Sequence, residues 1–66
     1  MTAAAYVDEV AVERAMLGHR VRLTARERRE VVRALTARGA SAREIAERLH
    51  TTSRTVQRQR SALRSR

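Results

Sequence analysis

The sequence lacks cysteine, lysine, proline, tryptophan and phenylalanine, and Tyr6 is its only aromatic residue. Without cysteine there are no disulfide bonds or thiolate metal sites, which fits a reducing compartment. A core without large aromatic residues must be built from Val, Leu, Ile, Ala and Met, which favours closely packed helices over a cofactor cavity. The two glycines cannot form a glycine-rich phosphate loop, and His19 and His50 have no acidic partner at the spacing of a catalytic motif. We therefore expect no enzyme activity, metal or cofactor.

Long apolar runs are also missing, since the longest uninterrupted one covers only a few residues. A signal peptide and a membrane span are therefore not expected, and we predict a cytoplasmic, nucleoid-associated protein. The 66 residues make one domain at most. A chain of this size buries only about 60% of its unfolded surface, so its stability is expected to be marginal.

Positive charge is abundant and unevenly distributed. Fifteen arginines oppose seven acidic residues, for a net charge of +8. Residues 1–18 contain three acids and one arginine, and no acid follows Thr51. A GC-rich genome would explain the choice of arginine over lysine, but not this polarity along the chain. A basic surface of this kind favours a polyanionic partner, because phosphate neutralisation releases counterions.

The first predicted helix runs from Thr2 to Leu17 and ends at Gly18, the C-cap. At 100° per residue, one face gathers Ala3, Tyr6, Val7, Val10 and Leu17. A smaller apolar patch on the opposite side consists of Ala5, Val12 and Met16. This patch is either incidental surface hydrophobicity or the contact of a homodimer through Val12 and Met16.

Residues 19–23 form a connector in which Val21 and Leu23 alternate inward. His19 is expected to be a surface residue, since no second metal ligand is near it in the sequence. The next predicted helix, Thr24–Arg38, begins with a capping box of Thr24 and Glu27 and ends at Gly39. Its buried stripe is Val31, Val32 and Leu35.

The stretch from Ser41 to Leu63 predicts two short helices joined by a tight turn. Ser41 and Glu44 form a second capping box, and the first helix has an apolar stripe of Ile45, Ala46 and Leu49. His50, Thr51 and Thr52 interrupt that stripe. Thr52 can cap a second helix that carries Val56 and Leu63 inward.

This stretch resembles the helix-turn-helix superfamily of DNA-binding domains. It is most similar to the E-I-A-x-x-L-x-x-S-x-x-T-V pattern of LuxR-type regulators and region 4 of sigma factors. The matching residues are Glu44, Ile45, Ala46, Leu49, Thr52, Thr55 and Val56. The chain also resembles small Arg-rich helix-turn-helix proteins of actinobacteria and their phages. The resemblance implies an all-α fold, with a three-helix domain over Thr24–Leu63 and an additional N-terminal helix. The domain boundaries are then 1–18, 19–23 and 24–66.

Two features depart from the family pattern. His50 stands where the turn usually has glycine, so it must tolerate or avoid a positive φ. Gln59 and Arg60 lie within about 60° of the buried line of the last helix, where relatives usually carry an apolar residue. The last helix is therefore expected to have a thin inner face and to dock weakly until DNA or a partner binds it.

The outer side of the last helix contains the candidate binding residues. Arginine can bond guanine O6 and N7, and glutamine adenine N6 and N7, in the major groove. We predict base contacts from Arg54, Gln57 and Arg58, with Ser53 as a secondary candidate. Phosphate contacts, which position the domain without reading sequence, are predicted for Arg43, Thr52, Thr55, Arg60 and Arg64.

These observations predict sequence-specific binding of double-stranded DNA by a small transcriptional regulator or phage repressor-like factor. A single domain supplies one short contact set, so useful affinity requires a homodimer on two half-sites or a second protein. The alternative is a protein-interaction module on the same fold that grips RNA polymerase or a host protein. RNA binding is less favoured because aromatic stacking residues are missing, and a membrane partner because the basic helix has no bulky apolar face.

Overall fold

The computed structural model describes residues 7–64, which form four α-helices and no strand. The helices are α1 (Glu9–Met16), α2 (Ala25–Ala37), α3 (Ala42–Leu49) and α4 (Ser53–Arg64). This confirms the all-α prediction of an N-terminal helix followed by three more. Helices α2, α3 and α4 pack against one another, and α1 contacts α2 and α3 but not α4.

A side chain caps the start of each helix, because the first N–H groups of a helix have no partner within it. The capping boxes of Thr24 with Glu27 and Ser41 with Glu44 are both formed, as predicted. The Thr52 hydroxyl accepts a hydrogen bond from the Thr55 amide at 3.2 Å and so caps the start of α4. Asp8, which was not predicted as a cap, accepts bonds from the second and third residues of α1.

Three helices end at a residue with left-handed backbone conformation: Gly18, Gly39 and His50. At each one a later amide returns to a carbonyl of the last turn, as Ala40 does to Leu35 at 3.0 Å and Thr51 to Ala46 at 2.9 Å. His50 has a φ of 57° and a ψ of 46°, so histidine does occupy the position that favours glycine.

The first helix starts later in the chain than the sequence predicts. The helix begins at Glu9 rather than Thr2, because Asp8 has extended backbone angles and its carboxylate caps the helix. Val7 precedes the cap and is not helical. The predicted helical positions Ala3, Ala5 and Tyr6 lie outside the described residues.

The buried side of α1 is also opposite to the predicted one. Met16 is 9% exposed and Val12 packs against the core, whereas Val10 is 59% and Leu17 72% exposed. Val12 and Met16 therefore do not form an exposed contact for a homodimer. The reason is that two small residues, Ala11 and Ala15, are buried beside them and let α1 approach its neighbours closely. The positions of the large apolar side chains alone therefore indicate the wrong face of α1.

The core lies where α2, α3 and α4 meet, with Ala15 and Met16 of α1 packed into it, and its centre was predicted correctly. Val31, Val32, Ile45 and Val56 are completely buried, with Leu35 and Ala46 nearly so. Half-buried apolar side chains surround them, including Leu23, Leu49 and Leu63. Within the described part of the chain, no helix has the length and apolar character needed to cross a bilayer.

Candidate nucleic-acid interface

The orientation of α4 is set by one side chain. Val56 is fully buried and Leu63, almost two turns later, packs half-buried against the core. The opposite side of the helix must then face outward. Arg54, Gln57 and Arg58 are all exposed there, as predicted, and we call these three residues the outer face of α4. Ser53, the first residue of the helix, is exposed as well.

The charge of the outer face is not neutralised by an ion pair within residues 7–64. The ion pairs found in residues 7–64 join Arg33 to Glu30 and Arg43 to Glu47, so neither includes Arg54 or Arg58. Because α4 itself contains no acid, both guanidinium groups are available to an anionic partner. This is the arrangement that binding to a phosphate backbone or a guanine edge requires.

The two threonines at the start of α4 bond each other. Their hydroxyl oxygens are 3.0 Å apart, and Thr52 Oγ1 also accepts the amide of Thr55. Whichever hydroxyl donates in this pair, the other keeps its own proton. The pair thus retains one donor for an outside acceptor such as a phosphate oxygen.

Arg43 is one of the exposed residues among the predicted phosphate contacts. Its side chain is 88% exposed and lies 4.0 Å from Glu47, itself 71% exposed. An ion pair of this length between exposed groups is weak. Arg43 is therefore easily released to another anion.

Arg60 and Arg64 lie apart from the outer face. They line a groove of about 470 Å³ between α2 and α4, together with Arg33, Thr36 and Leu63. The structure thus divides the predicted contact residues of α4 into two sets, one on the outer face and one beside α2. Only the first set faces directly away from the core.

The inner side of α4 is as thin as the sequence predicts. Gln59 and Arg60 are half-buried, and Val56 is the only fully buried residue among Ser53–Arg64. The Gln59 side-chain oxygen is buried without a hydrogen-bond partner, as is the Thr36 hydroxyl. A buried acceptor without a partner costs roughly 1–3 kcal/mol, so this side of α4 contributes less to stability than an apolar one would.

Glu27 has a role that the sequence did not reveal. Its carboxylate accepts a hydrogen bond from the Thr24 amide of its own capping box at 2.8 Å. It accepts a second hydrogen bond, also at 2.8 Å, from the amide of Asp8, the residue that caps α1. These backbone donors, Thr24 first and then Asp8, hold the pKa of Glu27 below its ordinary value of 4.5 against the opposing effect of burial. Glu27 thereby joins the starts of α1 and α2. No local spacing signals a bond between residues 19 positions apart.

A second unpredicted set of contacts joins the end of α1 to the end of α3. The Arg48 guanidinium donates to the Met16 carbonyl, and His50 Nε2 lies 2.9 Å from the Gly18 carbonyl oxygen. Both carbonyls belong to the C-terminal end of α1, where backbone acceptors lack helical partners. His19 is exposed, as expected, but lines the same pocket as His50.

Comparison with protein-family models, curated proteins and solved structures finds no significant match to this chain.

Proposed function

We propose that this protein binds double-stranded DNA by placing the outer face of α4 in the major groove. The observation that carries the proposal is the arrangement of α4: Val56 anchors one side, and the exposed Arg54, Gln57 and Arg58 occupy the other. Nothing acidic on the helix opposes an approaching phosphate backbone. A helix of 12 residues is about 18 Å long and has the width that the groove accepts.

In this proposal the three residues have distinct tasks. Arg54 and Arg58 offer paired N–H donors to guanine O6 and N7, and Gln57 offers a donor and an acceptor to adenine. Ser53 at the first turn is a further base contact. The Thr52–Thr55 hydroxyl pair and Arg43 position the domain by bonding phosphates, and Arg60 and Arg64 are backbone contacts at its edge.

The proposed biological role is that of a small transcriptional regulator or phage repressor-like factor of the helix-turn-helix type. The two capped helices α3 and α4, joined by a three-residue turn, support this type. One recognition helix contacts few base pairs, so a dimer on two half-sites or a neighbouring protein would supply the remaining affinity.

Selection of bound sequences from a random duplex pool tests the proposal. A DNA-reading domain will enrich a short consensus, and a dimer will enrich two copies about one helical turn apart. The Arg54→Ala variant serves as the control and should lose the consensus. Failure of the wild-type protein to enrich any sequence would overturn sequence-specific binding.

One observation favours a second candidate, a protein-interaction module that grips RNA polymerase or another protein. Val10 on α1 and Leu17, the residue that follows α1, are large, apolar and exposed. If this module is the function, Val10→Ser with Leu17→Ser should abolish capture of the partner in pull-downs. Changes on the outer face of α4 would then leave capture intact.

A further inference from the structure

A second basic region lies on the α3 side of the turn between α3 and α4. A pocket of about 300 Å³, which we call the connector pocket, is enclosed by residues 19–23, the start of α2 and the end of α3. Its six basic residues are His19, Arg20, Arg22, Arg28, Arg48 and His50. Apolar side chains, among them Leu23 and Leu49, complete the lining, and no acidic side chain contributes to it. Four arginines thus surround one concave site.

Most of this charge has no ion-pair partner in the part of the chain that the structure describes. Arg20, Arg22 and Arg28 are exposed, and neither ion pair found in residues 7–64 includes any of the four arginines. Like charges gathered in this way repel one another, although water and salt reduce the cost. An anion in the pocket would turn this repulsion into attraction.

Two of the six basic side chains are already fixed in place. Arg48 donates to the Met16 carbonyl, and His50 bonds the Gly18 carbonyl at 2.9 Å. These bonds explain Arg48 and His50 as partners of the C-terminal end of α1. They do not explain Arg20, Arg22 and Arg28, which bond no backbone carbonyl in the described chain. Since a guanidinium has five N–H donors, Arg48 keeps several for a ligand as well.

The chemistry of the lining selects the class of ligand. A metal ion is disfavoured because four arginines repel a cation and the two histidines have no third ligand among residues 7–64. Guanidinium groups match phosphate geometry through paired N–H donors, and several of them suit an anion with more than one negative charge. A volume of about 300 Å³ holds a phosphoryl group with a further substituent.

We propose that the connector pocket binds a phosphoryl group. The group belongs either to the backbone of a DNA duplex or to a free phosphorylated molecule. The proposal stands apart from base reading by α4, because a phosphoryl group from either source satisfies it.

Titration with inorganic pyrophosphate, followed by NMR and by calorimetry on the full chain, tests this site. Pyrophosphate should shift the backbone amide resonances of residues 19–23 and 48–50. Arg28→Gln should weaken its binding roughly tenfold, the effect of losing one charge-assisted bond. Arg29→Gln is the matched control, since it removes the same charge from the next residue of α2, outside the pocket. The Arg29→Gln change should weaken pyrophosphate binding less than twofold. Arg22→Gln, a change in the connector, should weaken it as much as Arg28→Gln does.

A duplex of random sequence distinguishes the two sources of phosphate. If the duplex shifts the same resonances, Arg28→Gln should weaken its binding equally on all sequences and reduce the salt slope by about 1. The other result is that pyrophosphate shifts these resonances while the duplex neither shifts them nor displaces pyrophosphate. In that case the phosphoryl group comes from a free molecule. Both results support the phosphoryl site.

Two results would overturn the proposal: no shift around the pocket with either ligand, or equal effects of Arg28→Gln and Arg29→Gln. Equal effects would mean that the charge acts diffusely rather than as a site. The outcome is separate from that of base reading, because Arg54→Ala should leave pyrophosphate binding unchanged.

Discussion

Helices α1 and α4 flank the described chain and are attached to the α2–α3 pair by different means. Helix α1 is held at both ends by polar bonds: Glu27 accepts the Asp8 amide at its start, and Arg48 and His50 bond carbonyls at its end. Helix α1 also buries Ala11, Ala15 and Met16 against the core. Helix α4 is longer, yet Val56 is the only fully buried residue among Ser53–Arg64. Bonds to its unpaired backbone groups thus add to the apolar packing of a short helix. A helix attached through one narrow stripe leaves most of its surface for a partner.

The largest expected effect is at the anchor of α4. Val56→Ala removes two buried methyl groups and should lower the free energy of unfolding by about 2 kcal/mol in urea titrations. The matched control, Val10→Ala, makes the same change on the exposed side of α1 and should stay within about 0.5 kcal/mol. Equal losses would contradict the orientation of α1 described here, since Val10 would then be a packing residue.

The polar attachment of α1 should depend on pH through Glu27. Its pKa is lower when folded, so its contribution to stability is present above the ordinary carboxylate pKa of 4.5. The contribution is lost as the pH falls from there through the folded pKa. Glu27→Gln should lower the urea midpoint at pH 7 and flatten the fall in stability on the acid side.

Glu44→Gln is the control for that experiment, because Glu44 forms the same type of capping box without a bond to another helix. It should produce a smaller loss at pH 7. If the two variants lose the same stability and show the same acid profile, the bond from Glu27 to Asp8 contributes nothing.

The smallest expected effect is a gain on the inner side of α4. Gln59→Leu removes a buried oxygen without a partner and adds apolar contact, so it should raise the free energy of unfolding by about 1 kcal/mol. Gln57→Leu, on the outer face of the same helix, should leave it nearly unchanged. A gain from Gln57→Leu equal to that from Gln59→Leu would show that helix propensity, rather than the buried oxygen, limits stability.

Local features of α2, α3 and α4 were predictable because their signals are close together in the sequence. Each capping box spans four residues, and the stripe of Ile45, Ala46 and Leu49 spans little more than one helical turn. The same local spacing identified His50 as the residue that must tolerate or avoid a positive φ, and it placed Gln59 beside the buried line of α4. Short-range steric and hydrogen-bonding rules were sufficient for these features.

The failures concern contacts between distant residues. The face of α1 was misassigned because Ala11 and Ala15 bury well only where another helix approaches closely, and the approach depends on the whole fold. The bonds of Glu27 to Asp8 and of Arg48 to Met16 join residues 19 and 32 positions apart. The connector pocket likewise exists only after α1 and α3 have met.

The most direct test of base reading by α4 compares Arg54→Ala with Arg14→Ala, an exposed arginine of α1. Affinities would be measured by fluorescence anisotropy on the selected duplex and on a scrambled one at the same salt concentration. We predict that Arg54→Ala costs about 1–3 kcal/mol on the selected duplex and little on the scrambled one, while Arg14→Ala leaves the preference between the two unchanged. Equal losses on both duplexes for Arg54→Ala would contradict the account, because Arg54 would then contact phosphate and not bases.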